Sequence, residues 1–134
     1  MNENKQDRDY YWYLGKHLIT FLVLTILNQD TEDAKGWTAY NLIKKIKEAS
    51  DDKIFLRAGS LYPLIQKMEE KDRVIKKDIE LQKSRSTGTR REKAIYSITD
   101  LGRAEFKKMC EEWKEIEEFI WHLLGDTKKG LENE

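Results

Sequence analysis

Ser60, Tyr62, Gln66 and Lys67 stand within the run Gly59-Ser60-Leu61-Tyr62-Pro63-Leu64-Ile65-Gln66-Lys67-Met68. Leu61, Leu64, Ile65 and Met68 recur at i, i+3, i+4 and i+7, so a helix here buries that stripe. Its far side then carries Gly59, Pro63, Gln66 and Glu70, flanked by Tyr62 and Lys67. Such a face is narrow and rich in donors. Gln66 and Lys67 are long enough to reach base edges, with Gln suited to adenine, and Ser60 and Tyr62 can donate to phosphates. A second group of donors follows in the run Lys83-Ser84-Arg85-Ser86-Thr87-Gly88-Thr89-Arg90-Arg91-Glu92, which has four cations, one acid and no apolar side chain. This run is either a solvated hairpin tip or a phosphate-contacting loop in which Lys83, Arg85, Arg90 and Arg91 neutralise backbone charge.

Catalytic chemistry lacks its usual groups. His17 and His122 stand among apolar residues on opposite terminal helices, and Cys110 has no His or Asp beside it. Neither arrangement makes a metal site or an activated nucleophile. The acid pairs Glu111/Glu112 and Glu117/Glu118 suit the solvated side of a helix, and no phosphate-binding glycine loop is present. A non-enzyme without metal or cofactor is therefore expected.

The elements that must position the donors can be read in order. Residues 9–28 predict a first helix, apolar almost all round, with Tyr10, Tyr11, Trp12 and Tyr13 as an aromatic extension for packing or as a ligand shelf. After a polar loop, Thr38 caps a second helix to about Ala49, with Ala39, Leu42, Ile43 and Ile46 inward. The helix containing Ser60 follows and stops near Asp72, whose side chain tolerates a left-handed turn. Residues 74–82 and 93–98 predict two strands, with Ile75, Ile79 and Leu81 on one face of the first and Ala94, Tyr96 and Ile98 on one face of the second. Thr99 caps a last helix over 99–124, closed by Gly125. Phe106, Met109, Trp113, Ile116, Ile120 and Leu123 step along it as a heptad seam. That stripe is longer than a small domain covers, so a second subunit is expected against it. Helix, tight stop, strand, basic loop and strand read as a winged helix-turn-helix: mainly α, with a small two-stranded β wing and a long C-terminal dimerisation helix.

Composition fits one domain over residues 1–134, divided into 9–98, the terminal helix 99–124 and a flexible tail 125–134. The net charge of zero hides a split. Residues 35–93 hold sixteen Lys and Arg against nine acids, while residues from 101 onward hold six against nine, so an anionic partner suits the middle only. A single cysteine fits a reducing cytoplasm. The apolar run 18–27 is about half of the roughly 20 residues a membrane span needs, so no membrane partner is expected.

Gly59-Ser60-Leu61-Tyr62-Pro63-Leu64, then Met68-Glu69, then Tyr96-Ser97-Ile98-Thr99-Asp100-Leu101-Gly102 resemble the PadR family of bacterial transcriptional regulators. Tyr40-Asn41-Leu42 is similar to that family's Gly-Tyr-Glu-Leu. Asp72-Arg73 and Arg57-Ala58 depart from its pattern, standing where Gly with an apolar residue and a Ser/Thr-Pro pair are usual. The resemblance implies a homodimer on a palindromic double-stranded DNA operator, with the third helix in a major groove and the wing on the adjoining backbone. It places Thr38 and Tyr40 beside Ser60, Tyr62, Gln66, Lys67, Lys83, Arg85, Arg90 and Arg91 among the DNA contacts. It also implies a repressor of the compact, multidrug-sensing branch, where an aromatic at the position of Trp113 stacks on a small planar aromatic effector; packing alone, as a large apolar anchor in the dimer seam, is the other reading of Trp113 and the favoured one. Two other readings stay open: a winged-helix interaction or antirepressor module without useful DNA affinity, and a dimeric small-molecule binder.

Overall fold

The computed structural model describes residues 2–29, 36–83 and 88–125, with side chains from Gly15 onward in the first segment. Among these residues the order is α1 (Asn2–Leu27), α2 (Ala39–Ala49), α3 (Ala58–Glu70), β1 (Ile75–Lys83), β2 (Arg90–Ile98) and α4 (Asp100–Leu123). This is the mainly α, winged architecture that the sequence predicts. The side chains of Tyr10 to Tyr13 and of Lys83, residues 84–87 with Arg85 among them, and the tail beyond Gly125 lie outside what is described.

A single core joins the elements. Ile19, Val23, Leu24 and Leu27 of α1 meet Leu42 and Ile46 of α2, the Leu61/Leu64/Ile65/Met68 stripe of α3, the strand base at Ile75, Tyr96 and Ile98, and Met109 of α4. Burying each large aliphatic chain in such a core contributes roughly 1.5–3 kcal/mol. α1 departs from the expected uninterrupted helix. It starts earlier, and Gly15, at φ 72° and ψ 162°, breaks its helical backbone. Thr38 caps α2 as expected, accepting the Asn41 N–H at 3.1 Å.

Helix α3 carries Pro63 in its second turn. Proline has no N–H, so the Gly59 carbonyl has no partner in the helical ladder. The left-handed stop falls on Arg73 (φ 56°), one residue later than the expected Asp72. The cause is local: the Asp72 N–H still donates back to the Lys67 carbonyl at 2.9 Å, which carries the helical turn one residue further. Val74 N–H then closes on the Met68 carbonyl at 2.9 Å.

The wing is longer than predicted. Its strands pair one to one from Ile75 with Ile98 to Lys83 with Arg90, so Arg90 and Arg91 belong to β2 rather than to the loop. Main-chain hydrogen bonds extend the ladder where no apolar pattern marks it. Trp37 adds a bridge, exchanging both N–H to carbonyl bonds with Tyr96 at 2.8 Å. Gly36 makes this approach feasible, since a side chain there would meet Ile95 Cγ2 at 2.5 Å and the Tyr96 carbonyl at 2.7 Å.

One junction ties α3, the wing and α4 together. Thr99 Oγ1 donates to the Arg73 carbonyl at 2.8 Å and accepts the Gly102 N–H at 3.0 Å. The Thr99 N–H donates to the Val74 carbonyl at 3.1 Å. Gly102 lies so close that an added Cβ would collide with the Val74 carbonyl and stand 2.7 Å from Ile98 Cγ1. At the far end α4 closes on Leu124, whose N–H reaches the Ile120 carbonyl at 2.9 Å, rather than on Gly125.

Replacing glycine by alanine inside a helix ordinarily gains up to about 1 kcal/mol. Here overpacking of roughly 1–3 kcal/mol opposes it and should win. Gly102→Ala is expected to lower the thermal midpoint by several degrees; an unchanged or higher midpoint would show that the junction yields without cost.

Candidate nucleic-acid interface

With its apolar stripe buried, α3 leaves Gly59, Pro63, Gln66 and Glu70 exposed along its outer line. The two flanks of that line face different neighbours. Tyr62 and Glu69 lie on the wing side: Glu69 is 3.9 Å from Lys77 of β1. Burial pushes the Tyr96 hydroxyl above its ordinary pKa of 10.0, and Tyr62 and Glu69 add to the shift. Lys67 lies on the opposite flank. It reaches Asp72 at 3.8 Å and lines a groove of about 700 Å³ between α1, α3 and the start of α4, together with Lys16, His17, Leu64, Leu101 and Glu105.

Gln66 and Lys67 thus face different neighbours. Gln66 sits on the outer line, its Nε2 donating to Glu70 Oε2 at 3.4 Å, a weak bond that a stronger partner can replace. Ser60 is half-buried near the front of the helix, and Tyr62 is half-exposed beside the wing. At the front of α2, Thr38 Oγ1 is engaged as the cap, while Tyr40 stands free of the core at 73% exposure. Tyr40, Lys44 and Lys47 border a shallow cleft of about 320 Å³ with Phe55, and Lys47 Nζ lies 5.5 Å over the Phe55 ring.

In the wing, Arg90 and Arg91 are exposed neighbours on one strand. Successive strand residues face opposite sides, so Arg90 shares the side of Ala94 and Tyr96, toward α3, while Arg91 shares the outer side with Lys93. Two faces of the wing therefore carry positive charge.

The α4 seam divides into two parts. Met109 is buried within the chain at 1% exposure, and Phe106 and Trp113 pack on Phe21 of α1. Phe21 lies 5.8 Å from the Phe106 ring and 6.0 Å from the Trp113 ring, nearly parallel to the latter at 11°. One face of the Trp113 indole is thus covered by its own chain, and its Nε1 is buried without a hydrogen-bond partner among the described residues. Ile116, Ile120 and Leu123 stay 44%, 45% and 66% exposed. No group of His, Cys, Asp or Glu among the described residues could hold a metal ion.

The sequence profile described as "Transcriptional regulator PadR-like family" matches residues 23–108, from the second half of α1 through the wing into α4. The chain belongs to the PadR family. It is accordingly a transcriptional regulator and not an enzyme. Among solved structures it is similar to a PadR-like transcriptional regulator from Bacillus cereus, with a TM-score of 0.60 and 25% identity over 84% of this chain and 96% of that one. A PadR family transcription regulator from Clostridium difficile gives 0.61 and 25%, covering 79% and 97%. A transcriptional regulator from Clostridium thermocellum gives 0.63 at 21% identity, covering 78% and 88%, which shows the shared fold alone. No curated protein matches the sequence. The PadR match ends before Trp113 and the exposed tip of α4. No helix among the described residues is long and apolar enough to cross a membrane.

Proposed function

We propose that this PadR-family chain is a homodimeric DNA-binding repressor that places α3 of each subunit in successive major grooves of a palindromic operator. The observation that carries this reading is the uncovered outer line of α3, Gly59-Pro63-Gln66-Glu70, standing beside a wing with cations on both sides. Gln66 would exchange its bond to Glu70 for adenine, and Tyr40, Ser60 and Tyr62 would donate to phosphates around it. Lys67 would reach the duplex only from the flank, after leaving Asp72. Ile116, Ile120 and Leu123 supply the apolar surface for a second subunit, and the terminal helix would act as the dimer clamp while residues 9–98 form the DNA-binding unit.

A second reading has its own support. Glu70 holds Gln66 and Asp72 holds Lys67, so acids stand beside both side chains offered for base contact. A protein-interaction or antirepressor module would use the same fold without useful DNA affinity. A planar aromatic effector, if it acts at the seam, would stack on the Trp113 face away from Phe21 or take the place of Phe21.

Salt dependence of binding to duplex DNA separates the first two readings. Nanomolar-to-micromolar affinity at low salt is expected, falling steeply as salt rises. Arg90→Ala with Arg91→Ala should make the log–log slope shallower by about two to four in the dimer. An unaltered slope would remove the wing from the interface, and no binding even at low salt would favour the interaction module. For the effector, a planar dye is expected to quench tryptophan fluorescence in the parent chain and much less in Trp113→Ala; equal quenching in both would exclude Trp113 as a ligand residue.

A further inference from the structure

Three acids stand at the exit of α3, and two of them have a cation: Glu69 is 3.9 Å from Lys77, and Asp72 is 3.8 Å from Lys67. Glu70 has none among the described residues. Its partner is the Gln66 amide, whose Nε2 donates to Oε2 at 3.4 Å. The fold gains little from a carboxylate at this place. Glu70 is exposed and closes the last turn of α3, where the partial negative charge of the free carbonyl ends disfavours an acid. A phosphate backbone would disfavour it as well.

We infer that Glu70 is a base-reading residue that accepts a hydrogen bond from the exocyclic amino group of a cytosine. This rests on the DNA-binding reading above and adds a second base to it. Glu70 shares the outer line of α3 with Gln66, at a rise of about 6 Å along the helix. That is close to two base-pair steps of about 3.4 Å, so a helix lying along the groove brings the two side chains to different base pairs. When Gln66 leaves for adenine, the Glu70 carboxylate loses that donor just as the duplex takes the place of water. An ionised carboxylate only accepts, and leaving it unpaired there is costly. The major groove offers two kinds of donor, the N4 amino group of cytosine and the N6 amino group of adenine. Adenine sets its N7 acceptor beside that donor and repels the second carboxylate oxygen; cytosine does not. Guanine and thymine meet the carboxylate acceptor to acceptor. No cation on the outer line reverses this preference, since Lys67 turns to Asp72. Glu70 thus weakens contact with every duplex and weakens it least where cytosine stands, which is a source of specificity.

In the test, duplexes with a randomised centre of about 20 base pairs are enriched on the parent chain, on Glu70→Ala and on Gln66→Ala, with thermal melting as the folding control. The parent is expected to fix one cytosine about two positions from an adenine in each half-site. Glu70→Ala should leave the cytosine position open while keeping the adenine, and Gln66→Ala should do the reverse. On the parent's site, changing the cytosine pair to T·A should cost about tenfold in affinity for the parent and less than about twofold for Glu70→Ala. Glu70→Ala should also hold mixed-sequence DNA at least as tightly as the parent does. An acid that serves only the fold or its own solvation would move the melting midpoint, or all duplexes equally, and not that ratio. A selected site without the cytosine overturns the inference, as does an unaltered site in Glu70→Ala. If the parent chain binds no duplex even at low salt, the DNA-binding reading itself falls, and the cytosine contact with it.

Discussion

The close approach of Gly102 to Val74, held by Thr99, is the constraint on which the remaining geometry depends. Three hydrogen bonds from one residue fix the stop of α3, the base of the wing and the start of α4 to one another. Arg73 accepts a left-handed backbone at that point, and no side chain larger than hydrogen fits opposite. The outer line of α3 and the inner face of the wing consequently keep one relative orientation, and α4 leaves the domain in a fixed direction. The arrangement is tightly packed where a duplex would be read and extended where a partner would be met.

Helix α4 joins two tasks in one element. Its first half completes the core of its own chain through Met109 and the Phe106 and Trp113 contacts with Phe21. Its second half presents Ile116, Phe119, Ile120 and Leu123 to solvent. Any partner gripping that tip is coupled through an unbroken helix to the Thr99 junction, and so to α3. A change at the seam would have a short mechanical path to the outer line of α3. The Phe21–Trp113 stack sits midway along that path.

Much of this was legible in the sequence because it rests on side-chain periodicity. The stripe of α3 and the caps at Thr38 and Thr99 are local patterns with local causes. Other features left no such trace. The extension of β2 back to Arg90 depends on main-chain bonds, which polar residues make as well as apolar ones. The Trp37–Tyr96 bridge joins residues distant in sequence, and Gly15 interrupts a helix whose apolar residues continue on its far side. The seam of α4 could be counted, but its heptad does not say which helix covers it. Phe21 of the same chain takes the positions nearest Thr99, while the rest stays open. For the candidate site, the pattern identified the outer line of α3 but not that Lys67 turns toward α1 and Asp72. The spacing of Gln66 and Glu70 by four residues was the available signal for their contact.

Two α3 rods set one helical turn apart is the arrangement that the junction, the wing and the seam would all serve. Hydroxyl-radical cleavage of a host-genome DNA fragment enriched by the purified protein tests it most directly. Two protected patches on one side of the duplex, separated by about 34 Å, are the expected result. A single patch, or uniform protection without that spacing, would contradict it.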